Sequence, residues 1–351
     1  MQRIVHLTPP QFSPEYVKEK VICIRAHRER EFKIGCEIID GKLICHNYGQ
    51  GGAGLTFLFA SVEASLCSFN ECLAAHPEFK NKEIVVIGAG CYGLLTTIEL
   101  AREGHKVRIV TSEVDRPSSF NAAGFFFPRS RKTSTPQERE IFHTLGLASY
   151  AMYKKIIASE HPFISKEAAS IIPVYYGLNI DPGYDFYIQQ CMLEAAERVT
   201  VDFGNGKHYE ALEYKTLFIN ADVLFADLRR AITDLGITIT QANIAAFSDL
   251  HESIIFNCTG IGAKQLTNDK KLIPVQGHLI MLKEQPKLEY MLNMQVTMRD
   301  EQGNERDELI YYSPRGSGTL GITFIRGKRS LVPNEHEFDR ILQRCHDFFG
   351  V

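Results

Sequence analysis

The sequence has no surplus of charge of either sign: 39 lysines and arginines stand against 42 aspartates and glutamates, a formal net charge of −3 and a pI near 6.5. That balance gives no general attraction to nucleic acid or to an anionic membrane surface, so neither partner is expected. Nine cysteines form no CxxC pair, show no metal-ligand spacing, and are odd in number. No metal site is expected, and they read as buried, reduced thiols of a cytoplasmic protein. Long apolar runs are missing too: the longest, 84–95, is too short and too interrupted by glycine to span a bilayer. MQRIVHLTPPQFSPEY at the start lacks the apolar core of a signal peptide, and CHDFFGV at the end carries no address signal. There is no internal repeat and no low-complexity segment.

What the sequence has is length and two glycine loops. At 351 residues, 44% hydrophobic and 23% charged, it can bury a sizeable core and divide into two domains. Residues 84–87, Ile-Val-Val-Ile, form an apolar strand running into Gly88-Ala89-Gly90-Cys91-Tyr92-Gly93. LLTTIELAREGH follows with helical spacing and a stop at Gly104, and VRIVT, 107–111, supplies the next strand. A GxGxxG in that strand–loop–helix–strand context predicts a dinucleotide site. Gly88 allows the tight turn, Gly90 lets backbone amides approach a pyrophosphate, and Gly93 packs helix on strand. Glu113 lies at the distance where an acid meets the adenosine ribose, although Thr111 holds the more usual strand-end position.

Further helices are predicted over 136–159 and over EHEFDRILQRCHDFF, 335–349, and SIIFNCTG, 253–260, is a buried strand ending in a glycine turn. HLIMLKE, ELIYYSP and TLGITFI make 271–325 strand-rich, and EFKNKE, 78–83, reads as an exposed connector.

The second loop, HNYGQGGAGLT at 46–56, precedes the first: a strand from Lys42 to Cys45, glycines, then a helix beginning near Leu55. A nicotinamide dehydrogenase has no use for it. The pyrimidine edge of a flavin does, because a helix N-terminus stabilises the negative charge gathered there on reduction.

Here the sequence resembles the D-amino-acid oxidase family, whose C-terminal flavin segment has the same histidine-asparagine-tyrosine-glycine run and Gly-Leu-Thr. SSFNAAGFFFP (118–128), FNCTGIGA (256–263) and IPVQGHLIML (273–282) resemble its flavin loop, its Asn-Cys-Thr-Gly turn and its Pro-x-x-Gly strand, and ELIYYSP with TLGITF its pocket strands. The order is rotated, with the family's closing segment, roughly 17–75, coming first. This implies a circular permutation, the old ends being joined through 70–83.

The resemblance implies an α/β fold: a Rossmann-type FAD-binding domain plus a mixed-sheet α+β substrate domain, circularly permuted. The FAD domain would be discontinuous (17–75, 82–130, 240–268), the substrate domain 131–239 and 269–334, and 335–351 a C-terminal helix packing on the FAD domain. FAD would contact Gly88, Gly90, Cys91, Tyr92, Gly93, Glu113, Ser118, Ser119, Ala123, Gly124, Phe125, Thr259 and Gly260. Gly51, Gly52, Ala53, Gly54, Leu55 and Thr56 would meet its pyrimidine edge. On the substrate side, Arg25 matches the arginine that grips the carboxylate with both nitrogens, Tyr311 a second carboxylate contact, and Gly52 the carbonyl that accepts from the amine. Adjacent Tyr312 should face the other side of its strand, and a register slip would exchange the two. Ala26 replaces the family's proline, and Asp307 stands near a position often held by a pocket tyrosine, a change that would favour a cationic or unusual amine.

The implied reaction is oxidative deamination of a D-amino acid to a 2-oxo acid, ammonia and hydrogen peroxide, by hydride transfer from Cα to flavin N5 with oxygen as acceptor. Positioning does most of the work, so His27, His46 and His278 are not assigned as bases, and His46 reads as structural. A glycine- or sarcosine-type amine oxidase or dehydrogenase of the same family, a NAD-dependent dehydrogenase, and a flavin protein without catalysis remain as alternatives. Stereochemical preference and oligomeric state, a homodimer included, stay open.

Overall fold

The computed structural model describes residues 2–299, 303 and 305–350. Its smaller sheet runs Ile239–Gln241, Val107–Thr111, Ile84–Ile87, Ile254–Asn257, Lys42–Tyr48, Lys33–Ile39, parallel throughout except for the last pair. Its central strands are unbroken apolar runs because both faces are covered. Ile84 and Val86 point into the main core with Leu58, Val62, Leu66 and Phe69 of the helix Leu58–Ala75 and Leu94 and Ile98 of the helix Cys91–Arg102. Val85 and Ile87 point the other way, onto Ile44, Val110, Ile255, Phe247 and Leu250.

The larger sheet is mixed and ten-stranded among the described residues. Its middle runs Ala169–Gly177, Met291–Arg299, Glu305–Ser313, Thr319–Gly321, Leu272–Leu282. Val17–Arg28 then pairs antiparallel along nearly the whole of Leu272–Leu282. The fold is thus mixed α/β with a Rossmann-type unit, as expected. No helix among the described residues is long and apolar enough to cross a membrane.

Several expectations need correcting in detail. Residues 17–28, grouped with the FAD-binding unit, form a strand of the larger sheet and meet the second glycine loop through the His27–Gln50 bridge, the hydrogen bond from Arg28 N to the Gly49 carbonyl and the approach of Arg25 to Gly52. The closing helix, Glu335–Phe349, packs on the larger sheet as well; residue 351 of that segment lies outside the described residues. Its stripe of Phe338, Ile341, Cys345 and Phe348 meets Ile310, Tyr312 and Leu320, an apolar face that needed a cover. The helix after the second glycine loop starts at Leu58, following a short 3-10 turn over Gly51–Ala53. TLGITFI is no single strand: Thr319–Gly321 ends before Ile325–Arg326 begins. All nine cysteines are free, but Cys67 and Cys191 are exposed and Cys36 and Cys72 half-buried.

Candidate active site

Between the two sheets lies a cavity of about 1370 Å³. A drug-sized ligand needs roughly 300–1,000 Å³, so this one has room for a dinucleotide and a small substrate together. Both glycine loops open onto it. Gly88 has φ +106°, and a Cβ there would come within 2.6 Å of the Cys258 carbonyl. On the helix, a Cβ at Gly93 would lie 1.8 Å from the Gly88 carbonyl oxygen. Gly90 caps that helix without a side-chain hydrogen bond, leaving first-turn amides at the cavity, and Ser119 Oγ accepts from Cys91 N at 3.2 Å. Glycine is required because backbone lies against backbone, with the positive end of the helix at the opening, which is what a pyrophosphate needs.

The second loop is tied to the first. Tyr92 Oη, from the dinucleotide helix, donates to the Gly54 carbonyl at 2.8 Å, and burial pushes its phenol well above the usual range. Arg131 Nη2 donates to the carbonyls of Gly49 and Gln50 at 3.2 and 2.7 Å, with Phe32 and Phe142 flanking its guanidinium. Burial pulls that guanidinium down to about 10, still charged at neutral pH.

Of the residues expected to contact FAD, Gly88, Gly90, Cys91, Tyr92, Glu113, Ser118, Ser119, Ala123, Gly124, Phe125, Gly51, Gly52, Ala53, Gly54, Leu55, Thr259 and Gly260 line the cavity. Gly93 and Thr56 do not. Gly93 serves the packing of helix on strand, and buried Thr56 accepts from Phe127 N at 3.0 Å, fastening the Phe125–Phe127 segment. Glu113 Oε1 accepts from the amides of Asp115 and Arg116, at 2.9 and 3.1 Å, so that oxygen is held in its own turn.

Arg25 and Tyr311 also open onto this cavity. Arg25 lies flat on the sheet over Gly277, where a Cβ would come within 2.3 Å of its Nη2, and Phe324 covers it from outside, 4.7 Å from ring centre to guanidinium. Nη1 donates to the Thr323 carbonyl at 3.0 Å, and the guanidinium has no carboxylate partner among the described residues. Tyr311 stacks on Phe125 with centroids 4.6 Å apart, and burial raises its phenol far above the usual range, so it stays a protonated donor. Tyr312 points into the core on the opposite face. Gly52 sits beside Arg25, a Cβ there lying 3.3 Å from Arg25 Cδ.

Asp307 does not line the cavity; it accepts from Gln295 Nε2 at 2.8 Å and Thr297 Oγ1 at 3.0 Å. The expectation that it biases the pocket toward cationic amines therefore loses its basis. His46 is buried, bonded through Nε2 to Glu37 at 2.8 Å and through Nδ1 to Asn257 at 3.2 Å. Burial lowers it to about 4 against the opposing pull of Glu37, so it is neutral and structural. His27 lines the cavity and is also lowered to about 4, first by burial and then by Arg131 and Arg326.

Sequence reasoning passed over Arg131 and Asn293, both of which line the cavity. Arg131 sits in the basic run PRSRK, which looks like surface loop, and Asn293 is a single polar residue in the strand Met291–Arg299.

Residues 83–351 match the FAD dependent oxidoreductase family, and the chain belongs to it. FAD is the cofactor of that family, and the glycine cradle, free helix N-terminus and cavity size described above fit it. The chain is similar to the D-amino-acid oxidase of Streptomyces coelicolor, 25% identical over 276 residues covering 76% of this chain and 77% of that protein. Human D-aspartate oxidase is 34% identical over 113 residues, 31% of this chain and 29% of that protein. Among solved structures, glycine oxidase from Bacillus cereus superposes with a TM-score of 0.51 at 14% identity, covering 76% of this chain and 79% of that one, a likeness of fold.

Proposed function

We propose that the protein is an FAD-dependent oxidase of D-amino acids, converting them to 2-oxo acids and ammonia with oxygen reduced to hydrogen peroxide. The observation that carries this reading is Arg25: a guanidinium without an acidic partner, held flat over Gly277 in the cavity that both glycine loops share. A half-buried cation of this kind calls for an anionic ligand group, and a planar fork suits a carboxylate. The rest of the cavity leans the same way, since Arg129, Arg131, Lys132 and Arg329 line it along with the Arg326–Glu29 pair, and Glu113 is the one further acid. That favours an amino acid over an amine without a carboxylate.

FAD supplies the acceptor for the two electrons that leave Cα. The protein's part is placement. Arg25 and the Tyr311 hydroxyl fix the carboxylate, the Gly52 carbonyl accepts from the amine, and Phe125 with Phe324 keeps water from the reacting carbon.

We also infer that the chain is circularly permuted, its FAD-binding unit assembled from segments on both sides of the 76–83 connector. Supporting this, the family match begins at residue 83, while Lys42–Tyr48 lies parallel to and beside Ile254–Asn257 in the Rossmann-type sheet. Phe12 and Phe349 are also neighbours, with ring centroids 5.9 Å apart.

The test is an anaerobic visible spectrum of the holoprotein with a panel of D- and L-amino acids, glycine and sarcosine. Bleaching by D-amino acids is the expected result. Bleaching by glycine or sarcosine alone would move the reading to the amine oxidases, and a flavin that nothing bleaches would overturn it.

A further inference from the structure

The floor of the cavity is a row of residues in register across the larger sheet: Leu279 opposite Gly321, Gly321 opposite Tyr311, Tyr311 opposite Asn293, and Asn293 opposite Tyr176. Beyond Leu279 the row meets Val21, and Arg25 lies four residues further along the strand Val17–Arg28, opposite Val275, with its guanidinium over Gly277. Asn293 lies on the far side of Tyr311, between it and Tyr176. Asn293 is 8% exposed and lines the cavity. Its Oδ1 is buried without a hydrogen-bond partner among the described residues. The surroundings offer none: Leu309 is the next residue along the same face of the adjacent strand, and Phe125 and Phe127 pack against Tyr176 at 6.4 Å between centroids.

A buried carboxamide oxygen without a donor costs about 1–3 kcal/mol, and a leucine would fill the same volume without that penalty. The geometry points to Asn293 as the residue that reads the substrate's side chain, selecting amino acids that carry a hydrogen-bonding group there over apolar ones of equal size. This rests on the reading of the site as an amino-acid oxidase, with the substrate carboxylate on Arg25 and Tyr311. With the α end fixed on one side of Tyr311, the side chain extends toward the other. A carboxamide both donates and accepts, so it can satisfy an amide or a hydroxyl, whereas an isobutyl group would leave it unpaired inside the complex. Sites built this way discriminate strongly against the analogue that lacks the polar group.

The experiment compares kcat/KM of the holoenzyme and of Asn293→Leu on two size-matched pairs, D-asparagine with D-leucine and D-glutamine with D-methionine. The wild type should favour the polar member of each pair by about tenfold or more, and Asn293→Leu should bring the ratio to about one or invert it. Binding of two inert acids, succinamate and 4-methylpentanoate, read from the flavin absorption band, gives the same comparison without turnover. Asn293→Ala serves if the leucine variant fails to retain FAD. A wild type that oxidises amino acids but prefers the apolar members, or a ratio that the substitutions leave unchanged, overturns the role of Asn293 alone. A wild type that oxidises no amino acid and binds neither inert acid overturns the oxidase reading and this inference with it.

Discussion

Gly93→Ala tests the glycine that backbone approaches most closely among the described residues. The added methyl would sit 1.8 Å from the Gly88 carbonyl oxygen, 2.9 Å from its carbon and 3.5 Å from Val86 Cγ1. The first two are backbone atoms, so no rotamer change relieves the clash. To reach ordinary contact, the start of the helix Cys91–Arg102 must withdraw from its strand by about 1.5 Å. Overpacking of this kind costs about 1–3 kcal/mol, and the rigid obstacle argues for the upper half of that range. Replacing a helical glycine by alanine returns about 1 kcal/mol, leaving a net loss of about 1–2 kcal/mol in the protein without FAD. Binding suffers separately. Amides displaced by about 1.5 Å no longer reach a phosphate at hydrogen-bonding distance, and each such bond to a charged group is worth about 1.5–3 kcal/mol, so FAD affinity should fall by at least tenfold. Titration of the apoprotein followed by quenching of flavin fluorescence measures the second effect, and a denaturant melt without FAD the first. Gly54→Ala is the reference: its methyl would meet only Tyr92 Cε2 at 3.7 Å, so the melt should move by less than about 0.5 kcal/mol. If Gly93→Ala melts and binds FAD like the wild type, the argument for a helix pressed onto its strand is wrong.

Arg25→Met should lower kcat/KM by roughly two to three orders of magnitude while FAD content stays unchanged; loss of FAD instead would make Arg25 a structural residue. Stability should fall as pH drops from about 6.5 toward 4 and stay level above, because burial holds His46, His27 and His161 near 4 and the unfolded chain binds protons that the folded one refuses. Fully buried His46 accounts for on the order of 3 kcal/mol of this, and denaturant melts between pH 4.5 and 7.5 that become firmer on acidification would contradict it. With a thiol reagent under native conditions, Cys67 and Cys191 should react promptly, Cys36 and Cys72 slowly, and the other five only after unfolding; prompt reaction of Cys91 or Cys258 would mean the dinucleotide loop is open. A version of the chain that starts at Asn81, runs through residue 350 into a short linker and residue 2, and ends at Lys80, so that Phe79 and the strand Arg3–His6 are kept, should fold and bind FAD. An insoluble product would count against the permutation.

The parallel unit was legible because each of its signals is local. Four consecutive apolar residues, a glycine turn and a helical repeat with a glycine stop leave few alternatives, and Gly104 does stop that helix, with φ +89°. Partnership was not legible. The strand Val17–Arg28 alternates well enough to say that one face is buried, yet nothing in it names the sheet it joins. The stripe of the closing helix likewise fits any apolar face, and only the packed structure puts it on Tyr312 and Ile310. The start of the helix at Leu58 was missed by a turn because the glycine loop spends three residues in a 3-10 turn that has no apolar period of its own. Among the site residues, Gly93 and Thr56 belong to the support of the cavity, a distinction set by which way a backbone faces. Asn293 escaped notice for the opposite reason: one polar residue on a strand reads as a solvent-facing position, and only the register opposite Tyr311 turns it toward the cavity.

The connector between the two glycine segments, residues 76–83, makes the molecule divisible. Apart from Phe79, which is anchored in the core, and half-buried His76, its side chains are exposed, and Asn81 turns the chain with φ +60°. A break after Asn81 leaves one fragment with Arg25, Gly52 and the glycine loop 46–56, and another with the glycine loop 88–93, Tyr311 and Asn293. Neither holds a complete flavin site, and the Tyr92–Gly54 hydrogen bond is restored only when they meet. Two separately expressed pieces would then make a split reporter whose yellow colour appears on reassembly around FAD.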